Sequence, residues 1–326
     1  MTAEPFSYRR RVAFGECDPA RIYYAPRAVD YAVEAVEAWY ESVLGIPWAG
    51  LVLRHGHEAA FSRVECEYLR PLIAGQVIRV RIGVVGTERA KIHLLATGED
   101  GSGDPCFHVS LVSCLVERDH ITAVPFPPEM IDRIEAYRAL CGKGTAVPAG
   151  GRRRDDAPGR AGEDLGRDGA IRLSPRRVRT NVAVPFTRHR RVVYGECGPS
   201  GTIYPPKVFE FAIEVIGEWY EEVPGISWLD LVSVRRQGAP FVSVACDYLR
   251  PMVPGQVIAM SVRVTRLGRA SIGFSVVGRD DEGAPCFDAR LAACFIDQEK
   301  GFRSMPIPEE FYGRIEAYRA ACGAER

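Results

Sequence analysis

The chain repeats itself. At an offset of 180 residues EAWYESVLGIPW meets GEWYEEVPGISW, ECEYLRPLIAGQVI meets ACDYLRPMVPGQVI, and GDPCFHVSLVSC meets GAPCFDARLAAC. The second copy then gains one residue, so that RIEAYRALCG at 133–142 meets RIEAYRAACG at 314–323. A period this long is a whole domain rather than a solenoid unit, and each copy must carry its own core. The length of 326 residues agrees, since single cores stop growing near roughly 250 residues and the commonest domain has about 100–150. We read residues 1–142 as the first domain, 143–180 as a linker and 181–326 as the second domain.

The join, GKGTAVPAGGRRRDDAPGRAGEDLGRDGAIRLSPRR, is rich in Gly, Pro, Arg and Asp and almost empty of aromatic residues. It cannot bury enough apolar surface to offset its ordering entropy, so a flexible tether is expected. Such a tether holds the two domains at high effective concentration. Lys+Arg and Asp+Glu both number 42, which gives no overall field toward nucleic acid or an anionic membrane. No apolar run reaches the length of a membrane span, and the basic N-terminus lacks the apolar segment of a signal peptide. A soluble, cytoplasmic protein is the expectation. The ten cysteines fall five to a half at matching places, with no CxxC, and several sit in apolar runs such as SLVSCLVE. They read as reduced, small core residues.

Within each copy a strand-like opening (YRRRVAF; RHRRVVY) leads to a Pro-containing turn. PRAVDYAVEAVEAWYESV then places Val29, Val33, Val36 and Tyr40 on one helical face, with Pro26 and its counterpart Pro206 in the first turn. After GIPW come alternating runs, AAFSRVECEYL, GQVIRVRIGVV, AKIHLLATGED and CFHVSLVSCLVE, divided by Gly, Pro and Asp. A short helix at RIEAYRA closes the copy. Strand, long helix and antiparallel meander make an α+β domain.

The most informative difference lies just before the long helix. FGECDPARIYY in the first copy becomes YGECGPSGTIY in the second, so Asp18 faces Gly198, and Ala25 faces Pro205. Asp18 before Pro19 could simply cap the turn, as Asp often does. It could equally be a catalytic carboxylate.

FGECDPARIYYAP resembles the signature of the 4-hydroxybenzoyl-CoA thioesterase-like family of acyl-CoA thioesterases, in which an Asp-Pro-Ala-Gly segment precedes the helix. The similarity continues through the helix, EYLRPLIAGQ and the later strands. It implies two tandem hotdog domains, each a long helix packed on an antiparallel sheet, pairing as an intramolecular pseudo-dimer with active sites at the pair's interface. It further implies thioester hydrolysis with no metal and no bound cofactor, coenzyme A being part of the substrate, and Asp18 as the catalytic carboxylate, either nucleophile or general base. Thioester hydrolysis also needs oxyanion donors, which we assign to backbone N–H groups at the helix start, at Tyr24 and Ala25. Pro205 removes such an N–H in the second copy. Asp18 with these donors therefore makes one working site, beside a degenerate copy retained to complete its interface.

Candidate substrate contacts are Arg21, which stands where the family has Gly, Pro26, the helix residue Glu34, His57 of the LRHGHEAAF segment, and Arg70 at a strand end. His55 and His57 have no counterparts in the second copy, and HGH alone lacks the remaining ligands of a zinc site. An exposed helix position is the commoner explanation for Glu34, and a surface loop for the histidines. Tyr24, Tyr204, Tyr68 and Tyr248 read as packing. No Gly-x-Ser-x-Gly elbow, P-loop or dinucleotide fingerprint is present. The expected partners are an acyl-CoA or an acyl chain on carrier protein, and further copies of the chain, with neither nucleic acid nor membrane. The competing readings are a non-catalytic acyl-thioester binding protein and an assembly scaffold.

Overall fold

A computed structural model of the protein describes residues 5–117, 122–141 and 182–323. The segment read as a tether, 143–180, lies outside the described residues. In the first copy the order is β1 (Ser7–Arg11), a 3-10 turn at Phe14–Glu16, α1 (Arg27–Trp39), α2 (Trp48–His55), β2 (His57–Tyr68), β3 (Val77–Glu88), β4 (Lys91–Glu99), β5 (Pro105–Glu117), β6 (Thr122–Ala123) and α3 (Pro128–Cys141). The second copy has β7 (Phe186–Arg191), α4 (Lys207–Glu222), α5 (Trp228–Ser233), β8 (Gln237–Gly238), β9 (Phe241–Tyr248), β10 (Val257–Leu267), β11 (Ser271–Arg279), β12 (Pro285–Cys294), β13 (Ile296–Asp297), β14 (Arg303–Ser304) and α6 (Glu309–Gly323).

The main strands form a single antiparallel sheet in the order β1-β3-β4-β5-β2-β9-β12-β11-β10-β7. The two halves meet where β2 pairs with β9, with Glu65 opposite Ala245 and Val64 opposite Cys246. Glu65 and Ala245 are equivalent in the repeat, so the pairing is symmetric about them, and a pseudo-twofold axis passes between the copies. Each copy thereby covers the strand edge that the other would leave open.

Alternation in β3 sends Ile78, Val80 and Ile82 inward and leaves Val77, Arg79 and Arg81 exposed. The inner faces wrap the long helices. The spacing predicted one apolar face on α1, but nine of its 13 residues are buried, including Ala28, Tyr31, Ala32, Ala35 and Trp39. A helix enclosed by a curved sheet on one side and a partner domain on the other has little left for solvent. Gly98 and Gly278 are set by this core, since a Cβ at Gly98 would stand 2.2 Å from the Phe107 ring.

The RIEAYRA helices close each copy in the same way. In α3 the Tyr137 hydroxyl donates to the Ile82 carbonyl at 2.5 Å, and Arg133 donates to the Leu44 carbonyl at 2.5 Å, just past α1. In α6 Tyr318 and Arg314 do the same for Val262 and Pro224, at 2.5 and 2.9 Å. The sequence reading passed over α2 and α5. Pro47 before α2 and Gly56 after it, with a left-handed φ of 64°, bound that helix. All ten cysteines are free. Among the described residues no helix is long and apolar enough to cross a membrane.

Candidate active site

The turn carrying Asp18 is closed by local backbone bonds and tied down by one long-range bond. The Asp18 N–H donates to the Ile22 carbonyl at 2.9 Å and the Arg21 N–H to the Asp18 carbonyl at 2.8 Å. Tyr23 N–H reaches the Leu72 carbonyl at 2.8 Å, which ties the turn to the chain leaving β2. Closing it requires a left-handed residue, and Arg21 takes that conformation with φ 65°, where the second copy uses Gly201 at φ 84°. Glu16, shared by both copies as Glu196, holds the turn from below: it accepts from Arg10 at 2.5 Å, the Ala13 N–H at 2.7 Å and the Tyr31 hydroxyl at 3.0 Å. The repeated Gly-Glu-Cys was the signal for this anchor, and the sequence reading gave Glu16 no role.

Asp18 takes the turn-capping role that the sequence left open, and its carboxyl is also perturbed. Its Oδ1 accepts the Ala20 N–H at 2.8 Å, the bond of an Asx turn. Burial also pushes its carboxyl up to about 6, against the pull of the Ala20 and Ile22 amides. A carboxyl poised near neutrality is suited to exchanging protons with water.

The helix-start amides are not equivalent, and here the expectation for Tyr24 needs correction. The Tyr24 N–H donates to the Glu16 carbonyl at 2.8 Å. It is therefore spent on the turn and cannot serve as an oxyanion donor. Pro26, buried at the start of α1, has no N–H. The Ala25 N–H is left without an acceptor among the described residues. The peptide that carries it is held through its own carbonyl, since the Tyr24 carbonyl accepts the Arg27 N–H at 2.8 Å, and the Tyr68 hydroxyl donates to the carbonyl of the next peptide, at Ala25, at 2.8 Å. Tyr68, read from sequence as packing, fixes the adjoining Ala25–Pro26 peptide. The second copy reproduces the scaffold: Tyr204 N–H donates to the Glu196 carbonyl and Tyr248 to the Pro205 carbonyl, each at 2.8 Å. Pro205 has no N–H to offer.

Each turn faces the other copy's helix. Burial and the carboxylates Glu214 and Glu210 of α4 raise the proton affinity of the Tyr24 phenol. Arg27 of α1 approaches Glu210 at 3.6 Å. Tyr204 lies correspondingly among Glu37, Asp30 and Glu34 of α1. The first site is thus walled by its own turn and by α4, a pairing that no local pattern discloses.

A family profile described as the Thioesterase-like superfamily matches residues 12–134 and 192–315. The chain belongs to that superfamily. The two matched segments are the two copies, so this is a tandem, double-hotdog member of the thioesterase-like proteins. Among solved structures it is similar to an acyl-ACP thioesterase from Bacteroides thetaiotaomicron, at 9% identity and TM-score 0.59 over 88% of this chain and 97% of that one. It is also similar to the 12:0-ACP thioesterase of Umbellularia californica, at 12% identity and TM-score 0.60 over 88% of this chain and 95% of that one. At these identities the likeness is one of fold. The uncharacterized protein YsmA of Bacillus subtilis (strain 168) is 31% identical over 87 residues, 26% of this chain and 58% of that protein, so the match spans less than two thirds of YsmA.

The remaining candidates of this thioesterase-like chain separate by position. Arg21 is exposed on the Asp18 turn. Glu34 is engaged, since Arg10 donates to its two oxygens at 2.6 and 2.7 Å; β1 turns it into an ion-pair partner and not an open substrate contact. Arg70 stands at the surface near Leu72 and donates to Asp104 at 2.6 Å. His57 opens β2 at the end opposite Tyr68, and at about 3.3 Å per residue the ends lie roughly 35 Å apart along the strand. It is not brought to the Asp18 turn, which corrects its place among the candidate substrate contacts. Among the described residues no group of three or more His, Cys, Asp or Glu is placed to hold a metal ion.

Proposed function

We propose that the protein hydrolyses an acyl thioester, with coenzyme A as the first thiol to test, to a free carboxylic acid and thiol at the turn of the first copy. The observation that carries this reading is that a carboxylate and an unoccupied amide occur together in one copy and are missing together in the other. Asp18 stands against Gly198, and the Ala25 N–H against Pro205.

Asp18 either attacks the thioester carbonyl, giving a mixed anhydride that water cleaves, or takes a proton from the attacking water. In both routes negative charge develops on the carbonyl oxygen. The Ala25 N–H at the start of α1, on a peptide whose Tyr24 carbonyl accepts the Arg27 N–H, lies where the helix dipole favours negative charge and is suited to receive it. The second copy supplies the facing wall through α4. In this reading residues 1–142 and 181–326 are the two domains, and 143–180 tethers them.

The test is thiol release from a panel of aromatic and aliphatic acyl-CoAs, with matched acyl carrier proteins beside them, for wild type and Asp18→Asn. Turnover that falls by most of its rate in the variant supports the reading, and the favoured acyl group and carrier emerge from the same panel. A variant as fast as wild type removes Asp18 from the mechanism. Binding of the same thioesters without turnover points to a binding protein instead.

A further inference from the structure

A cleft on the outer face of the first copy differs in charge from its counterpart in the second, although the backbone is the same. It has a volume of about 290 Å³ and lies between the β1–β3 edge and the β4–β5 hairpin, at the lower end of the size range of ligand sites. Arg9 of β1 stands opposite Arg79 of β3, and Arg79 opposite Glu99 of β4, so the three form a row across strands about 4.8 Å apart. Glu99 is buried and accepts from Arg81. Arg9 and Arg79 are exposed, and among the described residues nothing pairs with either guanidinium. The opposite wall is the hairpin tip Asp100-Gly101-Ser102-Gly103. Asp100 Oδ1 is occupied by the Ser102 and Asp104 amides at 2.9 and 3.1 Å, and a Cβ at Gly101 or Gly103 would meet nothing within 4 Å. The cleft thus sets two unpaired positive charges against one carboxylate, Asp100, that is already half engaged.

In the second copy the same row reads His189, Ala259 and Arg279. Its hairpin tip closes alike, with Asp280 Oδ1 accepting the Glu282 and Ala284 amides at 3.1 and 2.7 Å, and Gly283 at φ 81° where Gly103 has 85°. Yet Gly101 and Ser102 have become Asp281 and Glu282, and Arg279 is spent on the Gly283 carbonyl at 2.9 Å. A fold that needed arginines here for packing would keep them in both copies. Instead the copy with Asp18 has the cations and a small neutral tip, and the copy without it has the acids. The cleft also lies at the end of the sheet where the Asp18 turn sits. From Arg9 the chain runs through Val12, tied to Gln76 and Gly75, into that turn, and Pro105 opposite Glu99 begins the strand that sets Phe107 opposite Tyr68.

We propose that Arg9, Arg79 and the Asp100–Gly103 tip bind a phosphomonoester dianion. Two guanidiniums side by side offer paired N–H forks that match the oxygens of a phosphate, and the tip adds the Ser102 hydroxyl. Coenzyme A ends in such a group, the 3′-phosphate of its ribose, and a free nucleotide or inorganic phosphate carries the same chemistry. The site stands without the thioesterase reading; only its use by a substrate rests on that reading.

The experiment is calorimetric titration of the full chain at low salt with adenosine 3′,5′-bisphosphate and with inorganic phosphate. Wild type is compared with Arg9→His/Arg79→Ala, which installs the second copy's residues at two exposed positions, and with Gly101→Asp/Ser102→Glu, which installs its acids on the opposite wall. Wild type should bind at least one of the probes, and each variant should bind it at least tenfold more weakly with Tm unchanged. No binding of either probe by wild type, or binding by both variants as tight as wild type, overturns the proposal. Kinetics then separate the sources of the phosphate. If Arg9→His/Arg79→Ala raises KM several-fold at constant kcat for an acyl-CoA but not for the matching acyl-dephospho-CoA, the phosphate is the substrate's. If both KM values are unchanged while probe binding is lost, it belongs to a free nucleotide or phosphate, and either result supports the site. If wild type cleaves no thioester, the thioesterase reading fails by itself, and the calorimetry still decides the site.

Discussion

Replacing Asp18 by Asn removes a charge that the fold holds at a disadvantage, so the variant should be more stable than wild type at neutral pH while losing activity. Burial raises the Asp18 carboxyl from its ordinary 3.8 to about 6. The sign follows from which state ionises first. Below pH 3.8 the group is protonated whether the chain is folded or unfolded, and it has no effect. Above that the unfolded chain ionises first, so wild-type stability falls until the pH passes about 6 and is level beyond it. At about 1.36 kcal/mol per pH unit the difference comes to ~3 kcal/mol, reduced by whatever screening the partly open turn admits. Asn keeps an oxygen to accept the Ala20 N–H, so the turn should survive. The assay is urea unfolding of both proteins at pH 4 and pH 8, with the difference between them growing by up to ~3 kcal/mol at the higher pH. Asp30 is also pushed up to about 6 by burial, but it is present in both proteins and cancels in the difference. The wild-type kcat/KM should rise through about pH 6 over the same window. A stability difference independent of pH, or a rate limb near pH 4, would refute the buried, proton-exchanging Asp18 on which the mechanism depends.

Ala25→Pro copies the second copy's Pro205-Pro206 into the first, where the same turn already tolerates it. It should lower kcat by about 10²–10³-fold, the usual cost of one oxyanion donor, with little change in Tm; an unchanged kcat removes this amide from the site. Arg21→Gly should stabilise the turn by about 1 kcal/mol, because a left-handed φ of 65° is unfavourable for a residue with a Cβ, and thermal unfolding would show it. Gly98→Ala drives a methyl to 2.2 Å from the Phe107 ring and should destabilise by roughly 1–3 kcal/mol or more; a Tm equal to wild type would mean that the ring moves aside without loss.

The sequence by itself determined the two-domain plan, because a repeated pattern must fold into the same unit twice, and it placed every main strand and both long helices through their periodicity. It also isolated the decisive contrast, Asp18 with Ala25 against Gly198 with Pro205, since an acid and an N–H are properties of residue type. The short helices α2 and α5 escaped because their signals are terminal, a Pro or Ser before and, for α2, a Gly after, without a long apolar stripe between. Only the tertiary structure decided which groups are free. The Tyr24 amide is spent on the Glu16 carbonyl, Glu34 on Arg10, and His57 is carried to the wrong end of β2. It was likewise the pairing of β2 with β9 that set the two copies' long helices side by side, with Arg27 of α1 near Glu210 of α4. Hydrogen-bond partners and facing walls are long-range facts: they depend on where the chain returns in space, and a residue's identity says what it can donate or accept but not what has already claimed it.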